Sequence, residues 1–290
     1  MIIPYKKMKK VWLFLLVCLC SAIFCIWQNN SIVITKSEYG NAKIPKEFDG
    51  YVIAHISDLH NKEFGPNQNI LLNKLKSTSP DIIVITGDLI DRRRFDLNIA
   101  MKFLEGAVQI APVYYVSGNH EAWSHQYPSI KRELLKAGIQ VLDDSMIELS
   151  IGTSSMNLLG VKDPAFLTFD ALGRTDTSQL KESLRQWSSN EGFQILLSHR
   201  PELFNLYAEN NLDLIFSGHA HGGQVRIPFI GGLIAPDQGF FPQYTSGSHT
   251  KDQSTMLVSR GLGNSIIPIR VFNRPEIVVV TLQSPKEVVE

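Results

Sequence analysis

The sequence predicts an α/β protein in which helices and β-sheets form separate layers. Short runs of β-branched and apolar residues each end in a polar cluster, and helix-like stretches separate most of these runs. The composition, with 44% apolar and 19% charged residues in 290, is that of a globular chain. It excludes disorder, collagen and a coiled coil as the main architecture.

The alternation of strands and helices begins at residue 51. Strands that end in polar clusters are expected at 51–56, 82–86, 113–116, 193–197 and 212–216. Helices are expected near 66–77, 97–109, 128–137, 177–188 and 201–209. Additional strands are expected at 146–149, 156–161, 224–227, 255–258 and 277–282. Because no long helical pattern separates these additional strands, we expect them to form a second sheet.

The N-terminal segment differs from the rest of the chain. Four lysines lie in a basic flank, 1–10, which precedes an uncharged apolar run of 17 residues, 11–27. A helix of this length spans ~25 Å, the lower limit for crossing a bilayer. We expect a single-pass membrane anchor whose basic flank stays in the cytoplasm, with the folded domain on the extracytoplasmic side. A cleaved signal peptide is the alternative, because Cys20-Ser21-Ala22 loosely fits a cleavage site.

Residues 28–49 are polar and lack clear periodicity, so they are predicted as a tether that leads into a first strand. One folded domain is expected at 50–283, followed by a tail at 284–290. All three cysteines lie within the anchor, so this domain has neither a disulfide nor a thiolate metal site. From residue 11 onward, 24 basic and 28 acidic residues leave a charge of −4, which argues against nucleic acid as a partner. No obligate protein partner is evident from the sequence.

Polar clusters at the predicted strand ends carry the chemistry. They are Ser57-Asp58-Leu59-His60, Gly87-Asp88-Leu89-Ile90-Asp91, Gly118-Asn119-His120-Glu121, Ser198-His199 and Gly218-His219-Ala220-His221. In open α/β sheets, ligands bind where strands end at their carboxyl edge. Imidazole, carboxylate and amide groups suit divalent ions, and these are too many ligands for one ion. The other histidines are excluded from the site: His55 is assigned to the core, and His125 and His249 to the surface.

The order of these motifs, DxH, GDxxD, GNHE, a lone His and GHxH, resembles that of the calcineurin-like metallophosphoesterases over residues 50–282. The last third of this range resembles the membrane-associated YkuE/YaeI-like subgroup, which includes the chlamydial type of UDP-2,3-diacylglucosamine pyrophosphohydrolase. The resemblance implies a four-layer αββα sandwich of two mixed sheets with a dinuclear metal centre. The implied ions are two Mn²⁺, with Fe, Zn or Mg as alternatives.

The resemblance also implies roles for individual residues. The first ion would be held by Asp58, His60, Asp88 and His221, and the second by Asp88, Asn119, His199 and His219. A bridging hydroxide would attack phosphorus in line. His120 would stabilise the phosphoryl oxygens or protonate the leaving alkoxide, and Asp91 would orient His120.

The substrate is less well defined by the sequence. Arg92, Arg93 and Arg94 are candidates for binding a substrate phosphate, or are three solvated loop arginines. The apolar stretch 227–241 is expected either to contact lipid or to pack between the sheets. Because the metal motifs lie within 58–221, a chain beginning near Ser37 is expected to be soluble and active.

The predicted function is that of a membrane-anchored phosphoesterase that cleaves a phosphodiester or pyrophosphate bond, with a lipid-linked substrate such as UDP-2,3-diacylglucosamine. The alternatives are a cell-envelope phosphomonoesterase, a phosphodiesterase for a soluble phosphoester, and a non-catalytic binding module. UDP-2,3-diacylglucosamine is expected at the cytoplasmic face of the membrane, whereas the lysine flank predicts that the domain lies outside. These two expectations conflict, so either the orientation rule or this substrate must be given up.

Overall fold

Two six-stranded sheets face each other in the computed structural model, which describes residues 5–167, 177–188, 191–265 and 267–285. The strands are β1 Val33–Gly40, β2 Val52–Ile56, β3 Ile82–Thr86, β4 Val113–Val116, β5 Gln140–Val141, β6 Ser145–Ile151, β7 Ser154–Gly160, β8 Gln194–Leu197, β9 Leu214–Ser217, β10 Arg226–Ile227, β11 Gly231–Gly232, β12 Ile234–Ala235, β13 Gly239–Phe240, β14 Gly247–Lys251, β15 Ser254–Val258 and β16 Glu276–Gln283. The helices are α1 Tyr5–Asn30, α2 Asn69–Lys76, α3 Leu97–Ala107, α4 Asn119–Trp123, α5 Tyr127–Lys136, α6 Ser178–Trp187 and α7 Phe204–Glu209.

Both sheets are mixed. The first has the order β1-β16-β2-β3-β4-β5, and the second has the order β14-β15-β9-β8-β7-β6. In the first sheet β16 is antiparallel to β2, whereas β2, β3 and β4 run parallel to one another. In the second, β7, β8, β9 and β15 are parallel, and β6 and β14 are antiparallel edge strands. The carboxyl ends of the central parallel strands therefore lie together at one edge of each sheet.

Three separate apolar cores hold the layers together. Ile83 and Ile85 pack with helices α2, α3 and α5 on the outside of the first sheet. Ile82 and Val84, on the opposite face of the same strand, pack against the second sheet. The third core joins the outside of the second sheet to α6 and α7. Alternation along β3 thus serves two cores, and the predicted αββα sandwich is confirmed.

The predicted composition of the second sheet was partly wrong. β16 lies in the first sheet, where Ile277 and Val279 face the outer core and Val278 and Val280 face the inner one. β10 forms a small hairpin with β11, while β8 and β9 belong to the second sheet. The order of elements along the chain did not reveal this, because an antiparallel strand needs no helical crossover and can join either sheet through a loop.

The segment predicted as a tether, 28–49, contains strand β1. Val33 to Gly40 pair in parallel with Glu276 to Gln283, so the first sheet begins before the predicted boundary at residue 50. Because β1 is an edge strand with several exposed residues, its polar positions hid the strand pattern.

Helix α1 projects from the domain with most of its apolar surface exposed. Met8–Asn30 is long and apolar enough to cross a membrane, with a mean hydropathy of 2.3 and 6% of its most apolar window buried. Its 23 residues correspond to ~34 Å of helix. Of the predicted basic flank and tail, residues 1–4 and 286–290 lie outside the described residues.

Candidate metal centre

The polar clusters from both sheets meet at one place. The ends of β2, β3 and β4 in the first sheet bring Asp58, His60, Asp88, Asn119 and His120. The ends of β8 and β9 in the second sheet bring His199, His219 and His221. The seven residues expected to bind metal are each at most 4% exposed. Seven polar side chains buried in one cluster require mutual partners or a bound cation.

One group of ligand atoms comes from Asp58, His60, Asp88 and His221, and these atoms lie within 4.8 Å of one another. Nε2 of His221 is 3.3 Å from Oδ1 of Asp58, and Nε2 of His60 is 3.4 Å from Oδ2 of Asp88. The two Nε2 atoms are 3.1 Å apart. Nitrogen and oxygen donors thus converge on one small volume, as divalent ions require.

A second group of ligand atoms comes from Asp88, His199 and His219, again within 4.8 Å of one another. Nε2 of His199 is 3.4 Å from Oδ2 of Asp88 and 3.1 Å from Oδ1 of Asn119. Nδ1 of His219 lies 3.1 Å from Nε2 of His199. The same oxygen of Asp88 therefore faces both groups, the position from which a carboxylate can bridge two sites.

Several of these residues have an unusual backbone conformation. Positive φ angles occur at Asp58 (54°), His60 (47°), Asp88 (53°), His219 (63°) and His221 (47°). Non-glycine residues rarely adopt this left-handed conformation, and such strain is concentrated at functional sites. The turns at the strand ends are therefore conformationally strained, and in this conformation they direct the side chains at a common point.

Two glycines allow the clusters to approach each other. A Cβ atom on Gly118 would lie 2.3 Å from Oδ1 of Asp88. A Cβ atom on Gly218 would lie 1.9 Å from Oγ of Ser57 and 2.5 Å from Oδ2 of Asp58. Any larger residue at either position would displace an aspartate of the cluster.

Contacts outside the cluster select which nitrogen of each histidine faces it. Nδ1 of His199 donates to the backbone oxygen of Thr86 at 2.6 Å, so Nε2 is the ring nitrogen that faces Asp88. Nε2 of His219 lies 2.8 Å from Oδ2 of Asp237, which leaves Nδ1 facing His199. Carboxylate and carbonyl partners of this kind orient histidines that bind metal.

The electrostatics of the cluster favour a bound cation. Burial opposes ionisation of Asp88, but His199 and His120 outweigh it and hold the pKa of Asp88 well below its ordinary value. Burial likewise opposes protonation of His199, but Asp88 and Asp58 outweigh it and raise the His199 pKa to about 10. The carboxylates thus create a strongly negative potential in a buried volume. The donor types, their convergence and this potential fit divalent ions.

His120 lies beside the cluster without joining either ligand group. Its ring is 4.5 Å from the His60 ring, and its side chain is 7% exposed. Burial lowers the His120 pKa to about 4, so the ring is neutral at neutral pH. Its Nδ1 accepts a hydrogen bond from the backbone N–H of Arg92 at 3.1 Å. The proton of the neutral ring is therefore on Nε2, which makes that nitrogen a hydrogen-bond donor.

Asp91, to which the resemblance assigned the orientation of His120, lies too far from the ring for a direct hydrogen bond. Oδ1 of Asp91 is 3.7 Å from Nδ1 of His120, and that nitrogen is already occupied by Arg92. Asp91 instead accepts from the backbone N–H of Arg93 at 2.9 Å and from its Nε at 3.2 Å. Asp91 contributes negative charge near His120 and shapes the loop, so its influence on the ring is indirect.

The three consecutive arginines have different surroundings. Arg93 and Arg94 form ion pairs with Asp91 at 3.2 Å and 3.7 Å. The Arg92 guanidinium lies 4.4 Å from the centre of the Trp123 ring. Arg94 also lines a cavity of 390 Å³ together with His60, Lys62 and Asn264. The geometry thus distinguishes Arg94 as the arginine that shares a cavity with a residue of the cluster.

Residues 51–223 match the profile of the calcineurin-like phosphoesterase family. This range contains every side chain of the two ligand groups, from Asp58 to His221. The chain belongs to the calcineurin-like phosphoesterase family. As a member of this family, it is a metal-dependent phosphoesterase, and the sequence-based prediction of the family is confirmed.

Relatives of this calcineurin-like phosphoesterase cover most of its length. The metallophosphoesterase YkuE of Bacillus subtilis is 28% identical over 260 residues, which are 87% of this chain and 86% of YkuE. The phosphodiesterase YaeI of Escherichia coli is 24% identical over 241 residues, 80% of this chain and 82% of YaeI. A bovine transmembrane protein with a metallophosphoesterase domain is 26% identical over 266 residues, 87% of this chain and 57% of that protein.

Sequence reasoning missed two residues that support the centre of this phosphoesterase. Asp237 orients His219, and Arg200 is held by Asp163 through hydrogen bonds of 2.6 Å and 3.0 Å while its NH1 lies 3.0 Å from Nε2 of His219. One signal for Asp237 was available, because it is the single charged residue in the apolar stretch 227–241.

The histidines excluded from the site lie outside both ligand groups. His55 is fully buried, and its Nε2 lies 2.7 Å from Oγ1 of Thr86, as expected for a core histidine. His125 is exposed. His249 is half-buried against the ring of Tyr244, so its prediction as a surface residue was only partly right.

Proposed function

We propose that this protein is a membrane-anchored phosphoesterase that hydrolyses a phosphodiester or pyrophosphate bond in a lipid-linked substrate. The observation that carries this proposal is the position of the 390 Å³ cavity. It is lined by His60 of the ligand cluster and by Lys62 and Asn264, both of which contact Asn29 in the last turn of helix α1. The reaction centre therefore opens beside the end of the apolar helix.

The two ligand groups are proposed to hold two divalent ions, Mn²⁺ in the first instance. Asp58, His60, Asp88 and His221 would hold the first ion, and Asp88, Asn119, His199 and His219 the second. The distances from Oδ2 of Asp88 to His60 and His199, 3.4 Å each, support its role as the shared ligand. When bound, the ions supply a nucleophilic water at neutral pH and Lewis-acid stabilisation of the phosphoryl oxygens.

His120 is proposed as the catalytic residue that acts on the substrate. Its Nε2–H can donate a hydrogen bond to a phosphoryl oxygen or to the departing oxygen, whereas transfer of a proton to the departing oxygen requires the imidazolium form, which the lowered His120 pKa disfavours at neutral pH. The Arg92 backbone keeps this tautomer, because its N–H occupies Nδ1. Asp91 is proposed as a positioning residue that holds the 91–94 loop, and thereby the Arg92 N–H, in place.

The cavity contains charge suited to an anionic substrate. Lys62 and Arg94 line it, opposed by Asp96. Burial and the nearby Arg270 guanidinium lower the Lys62 pKa to about 7, so an anion in the cavity would favour its protonated form. Of the three arginines considered from the sequence, Arg94 is proposed to bind the substrate because it lines this cavity, whereas Arg93 donates hydrogen bonds to Asp91 and Arg92 lies on Trp123.

A substrate panel tests this proposal with purified full-length protein in Mn²⁺. The panel contains bis(p-nitrophenyl) phosphate, p-nitrophenyl phosphate and UDP-2,3-diacylglucosamine in mixed micelles. We expect chelator-sensitive hydrolysis of the diester or the pyrophosphate in preference to the monoester. Preference for the monoester would favour a cell-envelope phosphomonoesterase, and absence of hydrolysis by the metal-loaded protein would favour a binding module.

The orientation of the domain requires its own experiment. Protease added to intact cells should degrade the domain if it is extracytoplasmic, as the basic flank predicts. Protection in intact cells, with degradation after lysis, would place the domain in the cytoplasm and would remove the topological objection to UDP-2,3-diacylglucosamine.

A further inference from the structure

The end of helix α1 is fixed to the domain. Gln28 is 4% exposed, and its Oε1 accepts a hydrogen bond from the backbone N–H of Asn273 at 3.1 Å. Oδ1 of Asn29 accepts from Nδ2 of Asn264 at 2.8 Å. Arg274 donates to the backbone oxygen of Ser31 at 2.9 Å. These contacts come from the same loop region, so helix α1 and the domain have a defined relative orientation.

Aromatic contacts extend this junction along the helix. The Arg274 guanidinium lies 4.8 Å from the Trp27 ring centre, and the ring of Phe24 lies 5.5 Å from that of Phe272. Tryptophan beside arginine is typical of a membrane–water interface. Phe24 precedes Trp27 by three residues, or ~4.5 Å along the helix. Phe272 therefore meets α1 on the membrane side of Trp27.

Phe272 is one of four large exposed hydrophobic residues that line a shallow groove. The others are Ile227, Phe229 and Ile230, and the volume of the groove is 330 Å³. We call these four residues the apolar rim. Phe229 is fully exposed, Ile230 is 65% exposed and Phe272 is 53% exposed. The part of 227–241 that forms the rim therefore does not pack between the sheets, one of the two alternatives left open by the sequence.

The backbone at the rim is strained as well as exposed. Phe229 has a φ of 69° and Phe272 a φ of 52°. Bulky residues rarely adopt this conformation, in which glycine would be free of strain. Burial against the domain does not offset this conformational cost, because the side chain of Phe229 is fully exposed. In the isolated protein, both the positive φ angle and the solvent exposure of Phe229 are unfavourable for an aromatic residue. Both are accounted for if the side chain is buried in a binding partner of the domain.

We infer that the apolar rim inserts into the lipid bilayer next to α1 and forms a second membrane contact of the domain. The bilayer is the occupant because Phe272 joins the rim directly to the apolar surface of α1. Arg226 lines the same groove and Arg274 lies beside Trp27, so cations stand where lipid headgroups would meet the protein.

This contact has a consequence for the substrate and rests on the proposed membrane anchoring and phosphoesterase activity. A single helix can tilt in the bilayer and carry the domain with it, whereas two contacts fix the height and orientation of the domain. The cavity beside His60 is lined by Lys62 and Asn264, which contact the end of α1. With the rim inserted, this cavity is held at the level of the headgroups. The substrate class is then a phosphoester within a lipid headgroup that is cleaved without leaving the membrane.

Fluorescence quenching tests the insertion without requiring activity. Full-length Phe229→Trp in vesicles of phosphatidylcholine and phosphatidylglycerol is compared with the parent, and the parent signal is subtracted. Brominated acyl chains should quench the added tryptophan. Leu135→Trp, at another exposed position on α5 (55% exposed), is the control and should not be quenched. Equal quenching of both, or of neither, would overturn the inference.

Activity provides the second test. Phe229→Gly/Ile230→Ser should hydrolyse a phosphodiester lipid in the same vesicles on the order of tenfold more slowly, because the orientation is lost. Hydrolysis of bis(p-nitrophenyl) phosphate should remain at the parental rate, and the melting temperature should not fall at a position where glycine relieves strain. Loss of both activities would indicate a structural role, and unchanged lipid hydrolysis would indicate that the rim does not dock; each result contradicts the inference.

Two further outcomes separate this inference from its alternatives. If Phe229→Gly converts an oligomer into a monomer in detergent, the occupant of the rim is a second copy of the chain and the inference fails. If the parent protein hydrolyses no phosphoester but Phe229→Trp is quenched by brominated lipid, the proposed function fails while the membrane contact stands.

Discussion

Asp237 accepts a hydrogen bond from Nε2 of His219 at 2.8 Å, and this contact turns Nδ1 of His219 towards His199. The aspartate lies between strands β12 and β13, in a stretch otherwise devoid of charge, and its side chain is 53% exposed. A carboxylate at this position orients the imidazole ring of His219 and selects the nitrogen that faces the cluster.

Replacing Asp237 with asparagine should weaken metal binding. An amide retains the size of the side chain but loses the charge, and removal of such a partner typically lowers metal affinity about 10–100-fold. Titration of the metal-free protein with Mn²⁺, followed by calorimetry, measures this affinity. Asp252→Asn, in an exposed turn, is the control. An unchanged affinity would show that Arg200 and the backbone suffice to position His219.

The metal content should depend most strongly on Asp88. We expect two ions in the parent protein, and fewer than one in Asp88→Asn, because this carboxylate faces both ligand groups. His221→Ala, which alters one group, should retain about one ion. Elemental analysis after Mn²⁺ loading gives these numbers. A single ion in the parent would refute the proposed two-ion centre.

Removal of the ions should destabilise the fold. Without them, Asp58 and Asp88 remain buried beside each other at 0% and 1% exposure. A ligand at a hundred times its Kd contributes about 2.7 kcal/mol to the free energy of unfolding. Differential scanning calorimetry with and without chelator should show a lower melting temperature in chelator, restored by Mn²⁺. Identical melting curves would mean that the cluster does not bind the added ion.

His120→Ala should abolish most turnover and leave metal binding intact. The expected loss in kcat is about 10²–10⁴-fold, the usual contribution of a positioned acid or hydrogen-bond donor. Metal content and melting temperature serve as controls, together with His125→Ala at an exposed position. A variant with nearly parental kcat on a diester with a poor leaving group would exclude the proposed role.

Asp91→Asn should reduce turnover less than His120→Ala does. Asp91 lies 3.7 Å from His120 and acts through the loop that carries Arg92. The dependence of kcat on leaving-group pKa distinguishes positioning from a general loss of structure. A positioning role predicts a steeper dependence in Asp91→Asn, with partial recovery in Asp91→Glu. A loss equal to that of His120→Ala, with no recovery in Asp91→Glu, would mean that this account of Asp91 is wrong.

The soluble domain should begin before strand β1. A chain starting at Ser37 lacks Val33 to Lys36, which pair with Glu276 to Val279, and lacks the hydrogen bond from Thr35 to Glu276. We expect it to unfold at a lower temperature than a chain starting at Gln28, which retains β1 and the contact with Asn273. Equal melting temperatures and equal diesterase activity would show that β1 is dispensable, as the sequence had suggested.

The sequence by itself determined the layered α/β class, the strand ends and the residues that gather there. Each ligand cluster follows directly on its own strand, so local order along the chain carries the information. Asp58 follows β2 by two residues and Asp88 follows β3 by two. Parallel strands must place such residues at one edge, and no long-range contact is needed to infer it.

Only the tertiary structure decided which strands share a sheet, how His120 is held and where helix α1 joins the domain. Strand β16 has apolar residues on both faces, and such a strand could be buried in either sheet. Its residue pattern therefore does not identify its neighbours. Gln28 and Asn273 meet across 245 residues, and His219 and Asp237 across 18. Such contacts involve single polar side chains, and a single polar residue in a loop has no periodicity that could reveal its partner. Periodicity records which face of an element is buried, whereas the pairing of two distant loops is set by how the folded layers bring them together.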